Sequence, residues 1–106
     1  MGCYNFKITA LAAADIDEAL AYVAGNLNNK KAAKDLYRDL LDKIHKACKF
    51  PMMYPDCELY LVYEKNIRHA FVGNYALIYE INEAKKEIQI LRFLYQMRDV
   101  KSMEMK

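Results

Sequence analysis

The spacing of apolar residues predicts a strand and a helix at the start of the chain. Residues 3–8 alternate apolar and polar positions with the period of two that is typical of a strand. Thr9 follows and is a predicted N-cap for a helix. In that helix the apolar residues that recur at helical spacing are Ile16, Ala19, Leu20, Val23 and Leu27. The segment GNLNN at residues 25–29 predicts the end of this helix and the start of another.

The second helix has the clearest pattern in the chain. Its apolar positions form an i, i+3, i+4, i+7 stripe of Ala33, Leu36, Tyr37, Leu40, Leu41, Ile44, Ala47 and Cys48. Pro51 ends the helix, because a proline disfavours helical dihedral angles in the residue before it. Two amphipathic helices joined by a short loop are predicted to pack as an antiparallel hairpin on an apolar sheet.

Strands are predicted for most of the second half of the chain. Their predicted ranges are 59–63, 67–72, 75–81 and 87–94. Gly73-Asn74 separates two apolar runs and predicts a two-residue hairpin turn, and the segment NEAKKE predicts the next turn. The predicted fold is α+β in two layers, ordered β-α-α-β-β-β, with the helical hairpin on one face of a mainly antiparallel sheet. A length of 106 residues supports a single domain, residues 1–106.

Composition narrows the class of protein. The chain is 55% apolar and 28% charged, as in an ordinary soluble globule. No apolar run approaches the roughly 20 residues that cross a bilayer, and no secretory signal is apparent, so we expect a cytoplasmic protein without a membrane partner. A net charge of +2 is too small to indicate nucleic-acid binding by itself.

Cysteines and motifs argue against metal or cofactor chemistry. Cys3, Cys48 and Cys57 form an odd set without CxxC spacing, which predicts reduced thiols and neither a disulfide framework nor a zinc site. Phosphate loops of the GxxxxGK[ST] type and the motifs GxGxxG, HExxH and GxSxG are absent. We therefore expect no metal and no cofactor.

The stretch IQILRFLYQMRD, residues 88–99, carries the most informative polar residues. Strand alternation places Arg92 on the same face as Ile88, Ile90 and Leu94. A charge on an apolar face needs a carboxylate, backbone carbonyls or an anion as its partner. Arg92 alone suits a structural ion pair. Together with Tyr95 and Arg98 it also suits contact with single-stranded nucleic acid or with an acidic or amphipathic protein.

A second pair of candidate residues, Arg68 and His69, precedes this stretch. His69 falls on a predicted strand directly after Arg68. Two interpretations stay open for the histidine: a hydrogen-bonded spacer within the sheet, or a phosphate contact and proton-transfer group.

Several short motifs occur in a recognisable order. They are AADI at residues 13–16, FPMMYP at 50–55, Arg68, VGNY at 72–75, LIYEI at 77–81 and RFLYQMRD at 92–99. In this order they resemble the RelE/ParE superfamily, the toxins of bacterial type II toxin–antitoxin modules. The resemblance extends over nearly the whole chain.

The resemblance implies a growth-inhibiting, plasmid-stabilisation type of toxin that a cognate antitoxin neutralises. RelE-like members cut mRNA in the ribosomal A site, whereas ParE-like members poison DNA gyrase. The resemblance favours an mRNA interferase acting with ribosome and mRNA. Its candidate catalytic residues are Arg68, Arg92 and Arg98 for phosphate contact, with His69 or Tyr95 for proton transfer.

Two alternatives remain, a non-enzymatic gyrase inhibitor and a decayed toxin that only binds its antitoxin. They remain because Ala76 and Tyr95 replace an arginine and a histidine that are frequent in RelE-like nucleases. The oligomeric state stays open between a homodimer and a toxin–antitoxin hetero-oligomer.

Overall fold

A computed structural model describes residues 3–26, 29–55 and 66–95 of the chain. The elements are β1 (Asn5–Ile8), α1 (Ala10–Ala21), a π-helical segment (Tyr22–Asn26), α2 (Lys30–Lys49), β2 (Asn66–Val72), β3 (Tyr75–Asn82) and β4 (Glu87–Tyr95). Their order confirms the predicted β-α-α-β-β-β arrangement. The strand predicted at residues 59–63 lies outside the described residues.

The four strands form one mixed sheet in the order β1-β4-β3-β2. β2, β3 and β4 are joined as the predicted antiparallel meander. β1 pairs with β4 in parallel, so the first and last strands of the described chain are neighbours. Both helices pack against one face of the sheet, where α1 and α2 residues share a core with alternate residues of β3. The two-layer α+β prediction is confirmed.

The helix ends follow the predicted signals. Thr9 caps α1 by accepting the N–H of Ala12 at 3.1 Å, and Asn29 caps α2 by accepting the N–H of Ala32 at 2.9 Å. The predicted stop at residues 25–29 takes the form of a π-helical continuation of α1 to Asn26. α2 buries Leu40, Ile44, Ala47 and Cys48, all members of the predicted stripe.

A β-bulge in β4 overturns the predicted facing of its residues. Across the sheet Ile78 is opposite Arg92 while Tyr79 is opposite Ile90, so Leu91 is an extra residue in β4. The alternation shifts by one residue after the bulge. Phe93 therefore joins Ile88 and Ile90 in the core below the helices, whereas Leu91 and Leu94 pack on the other face around Ile67 and Ile78. The prediction that Ile88, Ile90, Arg92 and Leu94 share one face is wrong.

β1 is an exposed edge strand. Phe6 is 36% and Ile8 is 41% exposed, although their partners Ile88 and Ile90 in β4 are buried. The apolar side of β1 thus lies at the margin of the area that the helices cover, where the ring of Phe6 meets that of His45 in α2 with centroids 6.3 Å apart. In the described part of the chain, no helix is both long and apolar enough to span a membrane.

Candidate functional site

A surface groove of about 600 Å³ lies between α1 and the C-terminal end of β4. Its lining includes the carboxylates of Asp15 and Glu18 and several tyrosines. Arg92 and Tyr95, two of the five candidate catalytic residues, also line this groove. The groove forms because β1 ends opposite Ile90, so that the second half of β4 packs against α1.

Asp15 occupies the place that the next residues of β1 would have taken. The N–H of Thr9 donates to the carbonyl of Ile90 at 3.1 Å, after which the chain turns into α1. Three residues further along β4, the N–H of Phe93 donates to Oδ2 of Asp15 at 3.0 Å. The carboxylate therefore satisfies a backbone donor that has lost its neighbouring strand.

The same carboxylate is the partner of Arg92. Nε of Arg92 donates to Oδ2 of Asp15 at 2.7 Å, and Nη2 donates to Oδ1 at 3.2 Å. The side chains are only 25% and 12% exposed, so this two-point contact is partly shielded from water. The sequence suggested a carboxylate, backbone carbonyls or an anion as partners for Arg92, and in the structure Arg92 contacts the carboxylate of Asp15.

Aromatic rings form the other wall of the groove. Tyr75 stacks on Phe93 with ring centroids 4.8 Å apart and meets Tyr95 edge-on at 5.2 Å. Burial raises the pKa of the Tyr75 hydroxyl, and the nearby Tyr95, Tyr22 and Glu18 raise it further. Tyr75 thus stays protonated and neutral, while the side chains of Tyr22 and Tyr95 are 46% and 40% exposed to solvent.

Arg68 acts on a different part of the molecule. Its Nη1 donates to the carbonyls of Met52 at 3.0 Å and Tyr54 at 2.8 Å, and its Nε donates to Oδ1 of Asn66 at 2.9 Å. These bonds fasten the loop after α2 to the start of β2. The hydroxyl of Tyr79 fastens the same loop by donating to the carbonyl of Pro51 at 2.8 Å.

His69 is the next residue of β2, and strand alternation turns it to the opposite face from Arg68. Its ring lies edge-on to Phe71 at 5.4 Å, and its Nδ1 is buried without a hydrogen-bond partner among the described residues. His69 is opposite Ile78, which is opposite Arg92. His69 and Arg92 are therefore in one row two strands apart, about 10 Å from backbone to backbone.

The candidate residues thus fall into separate places. Arg92 and Tyr95 line the groove. Arg68 binds the loop after α2, and His69 lies on the opposite face of β2 from Arg68. Arg98 lies outside the described residues. Sequence reasoning missed the pairing role of Asp15, although the AADI segment that carries it was part of the recognised motif order.

Within residues 3–26, 29–55 and 66–95, no three His, Cys, Asp or Glu side chains are grouped so that they could hold a metal ion.

A strand, a helical pair and three further strands in one mixed sheet match the fold of RelE/ParE-like proteins. Residues 6–100 match the family model described as the ParE toxin of the type II toxin–antitoxin system parDE. The chain belongs to this family, and the expectation of a type II toxin is confirmed.

Solved structures share the fold. A chain of the chromosomal ParDE system from P. aeruginosa has a TM-score of 0.69 and 20% identity over 89% of this chain and 97% of its own. A chain of the archaeal RelE–RelB complex from Pyrococcus horikoshii OT3 has a TM-score of 0.59 and 21% identity over 91% and 98%. A chain of the toxin–antitoxin complex RelBE2 from Mycobacterium tuberculosis has a TM-score of 0.60 and 15% identity over 91% and 94%. No curated protein sequence matches the chain significantly.

Proposed function

We propose that this toxin acts by binding and inhibiting DNA gyrase and that a cognate antitoxin neutralises it. The observation that carries the proposal is the match of residues 6–100 to the ParE toxin family. Gyrase is the target that the resemblance to ParE-like toxins implies. Ribosome-dependent mRNA cleavage, which the sequence resemblance favours, is the competing hypothesis.

The positions of Arg68 and Arg92 support binding over catalysis. RNA cleavage requires cationic groups directed at the phosphate and a proton-transfer group within hydrogen-bond reach of the reacting atoms. Arg92 instead contacts Asp15, and Arg68 contacts loop carbonyls. His69 is on the opposite face of β2 from Arg68. These three residues thus do not converge on one reacting centre.

The groove is the proposed seat of the antitoxin. Its exposed rings, Tyr22 and Tyr95, offer apolar area with a hydroxyl at the end, which suits the apolar face of a helix or an extended segment. The similar solved chains belong to toxin–antitoxin complexes. We therefore propose a toxin–antitoxin hetero-oligomer in the cytoplasm, where gyrase works, as the resting form.

Two reconstituted reactions test the proposal side by side. Purified toxin is added to gyrase, ATP and relaxed plasmid, and separately to ribosomes programmed with mRNA. We expect supercoiling to be inhibited, the antitoxin to reverse this, and the mRNA to stay intact. Cleavage of mRNA on the ribosome with normal supercoiling would establish the competing hypothesis instead.

A parallel experiment in cells separates the same hypotheses. After induction of the toxin, thymidine and methionine incorporation are followed together. Gyrase inhibition predicts that thymidine incorporation falls first. A protein that affects neither pathway, yet binds its antitoxin, would be a decayed toxin and would refute the proposal.

A further inference from the structure

Cys3 and Cys48 lie side by side where the start of the described chain meets the end of α2. The N–H of Tyr4 donates to the carbonyl of Cys48 at 2.9 Å. Because a trans peptide places the Cα of Cys3 on the same side as that N–H, the two cysteine Cα atoms are about 6 Å apart or less. Disulfides join residues whose Cα atoms are usually about 4.4–6.8 Å apart.

The two thiols share one surface cavity of about 510 Å³, which His45 also lines. Both are free, but Cys3 is exposed and Cys48 is buried. Burial raises the pKa of the Cys48 thiol, and the nearby Cys3 raises it further. Cys48 is therefore protonated and shielded, whereas Cys3 is open to reagents in solution.

We propose that Cys3 and Cys48 are a redox-responsive pair that a peroxide converts into an intramolecular disulfide. Cys3 is the attacking residue and Cys48 the resolving residue. This site is independent of the proposed gyrase inhibition, because neither cysteine lines the groove beside β4.

The chemistry balances with hydrogen peroxide as the oxidant. The Cys3 thiolate attacks one peroxide oxygen, the O–O bond breaks, and hydroxide leaves to become water as Cys3 becomes a sulfenic acid. The Cys48 sulfur then attacks the Cys3 sulfur, forming the S–S bond while the sulfenic oxygen leaves as water with the Cys48 proton. Two thiols have lost two electrons and two protons, and peroxide has become two waters. A dithiol reverses the reaction by thiol–disulfide exchange.

The disulfide would tie the exposed edge of the sheet to a helix. It would close a loop that contains β1, α1 and nearly all of α2. Closing so long a loop restricts the unfolded chain and raises the melting temperature of the folded protein.

Mass spectrometry of the full-length toxin tests the proposal. Wild type and Cys57→Ser are treated with a small excess of peroxide, alkylated with N-ethylmaleimide, and digested without reduction. Before alkylation, we expect a monomer about 2 Da lighter than the reduced protein. After digestion, we expect a peptide that links Cys3 to Cys48. The Tm should rise by about 5 °C or more, and dithiothreitol should reverse the increase.

Cys3→Ser and Cys48→Ala are the matched variants. Both are expected to lack the linked peptide and the Tm increase, and Cys3→Ser, an exposed substitution, keeps the fold. In native Cys3→Ser, we expect Cys48 to react slowly with maleimide. Disulfides that involve Cys57, dimers linked between chains, sulfinic acid as the sole product in Cys57→Ser, or fast labelling of Cys48 would each overturn the proposal.

Discussion

Asp15 accepts the backbone N–H of Phe93 at 3.0 Å. A carboxylate from α1 therefore takes over the hydrogen bonding along the edge of β4 where β1 ends. The bulge at Leu91 is next to this contact and turns Phe93 into the core. One aspartate thus does three things: it satisfies a backbone donor, neutralises Arg92, and fixes α1 against the sheet. The groove of this toxin is built around that arrangement.

Asp15→Ala is expected to lower the free energy of unfolding by about 2–3 kcal/mol. The substitution leaves the Phe93 N–H and the partly buried Arg92 guanidinium without this acceptor, and both losses carry a desolvation cost. Urea denaturation measures the change. Asp17→Ala, an exposed substitution on the same helix, is the control and should cost less than about 0.5 kcal/mol. Equal stability of the two variants would contradict the role of Asp15.

Thr9 joins the first helix to the last strand. Its Oγ1 accepts the N–H of Ala12 at 3.1 Å and donates to the carbonyl of Ile90 at 3.0 Å. Thr9→Ala removes both bonds and is expected to cost about 1–2 kcal/mol. Thr9→Ser keeps the hydroxyl and should recover most of the stability. If the two variants unfold at the same urea concentration, the hydroxyl is not the source of the effect.

Gly73 lies in the turn between β2 and β3, where its backbone conformation can be tested by substitution. Its φ is +60°, a left-handed conformation in which an L side chain is strained, and a Cβ there would meet no atom within 4 Å. Gly73→Ala should therefore cost about 1 kcal/mol through backbone strain alone. Gly25 has the same open space without the left-handed φ, so Gly25→Ala should be neutral or stabilising. Thermal melts of the two variants give the comparison.

The fold followed from the sequence because its signals are local. The stripe of α2, the Thr9 cap and the Gly73 turn each depend on a few neighbouring residues. The bulge at Leu91 and the parallel pairing of β1 with β4 depend on contacts between distant parts of the chain. Strand alternation extended through Leu91 therefore assigned Arg92 to the wrong set of neighbours.

The candidate site was predictable only in its residue types. Sequence reasoning inferred that Arg92 needs a partner on chemical grounds, and a carboxylate was among the choices. It had no means to select Asp15, because Asp17 and Glu18 are carried by the same helix. It also grouped Arg68 with His69 by adjacency, although adjacent strand residues point to opposite faces.

Tyr79 is expected to make stability fall at alkaline pH. Burial is the main cause that raises the pKa of this hydroxyl above its ordinary value of 10.0. Above that pH the unfolded chain loses the proton while folded Tyr79 keeps it, so the unfolded state is favoured by up to about 1.4 kcal/mol per pH unit. The stabilisation is complete below pH 10 and declines as the pH rises.

Urea denaturation between pH 8 and pH 11 checks this expectation with two variants. Tyr79→Phe should cost about 1 kcal/mol at pH 8, since it removes the bond to the Pro51 carbonyl. It should also make the alkaline decline shallower, and the part that remains comes from Tyr75 and Cys48, whose pKa values burial also raises. Tyr37→Phe, an exposed substitution on α2, should leave the slope as in wild type. An alkaline decline as steep in Tyr79→Phe as in wild type would show that Tyr79 does not contribute to it.

Arg92 and Asp15 together test whether the arginine serves the fold or contacts a target. If its role is to pair with Asp15, Arg92→Ala and Asp15→Ala should weaken toxicity only as far as they lower stability. In the double variant the second substitution should then cost about 1–2 kcal/mol less than it does alone. Growth inhibition, antitoxin binding and urea denaturation of all four proteins are the measurements.

If Arg92 binds phosphate, a different set of results is expected. Asp15→Ala would release the guanidinium from its carboxylate and keep or increase toxicity, whereas Arg92→Ala would abolish it at unchanged antitoxin binding. Arg92→Lys separates charge from geometry, because a lysine keeps the charge but loses the two-point contact with Asp15. Full toxicity of Arg92→Lys with reduced stability would show that the two-point contact serves the fold and that toxicity needs at most the charge.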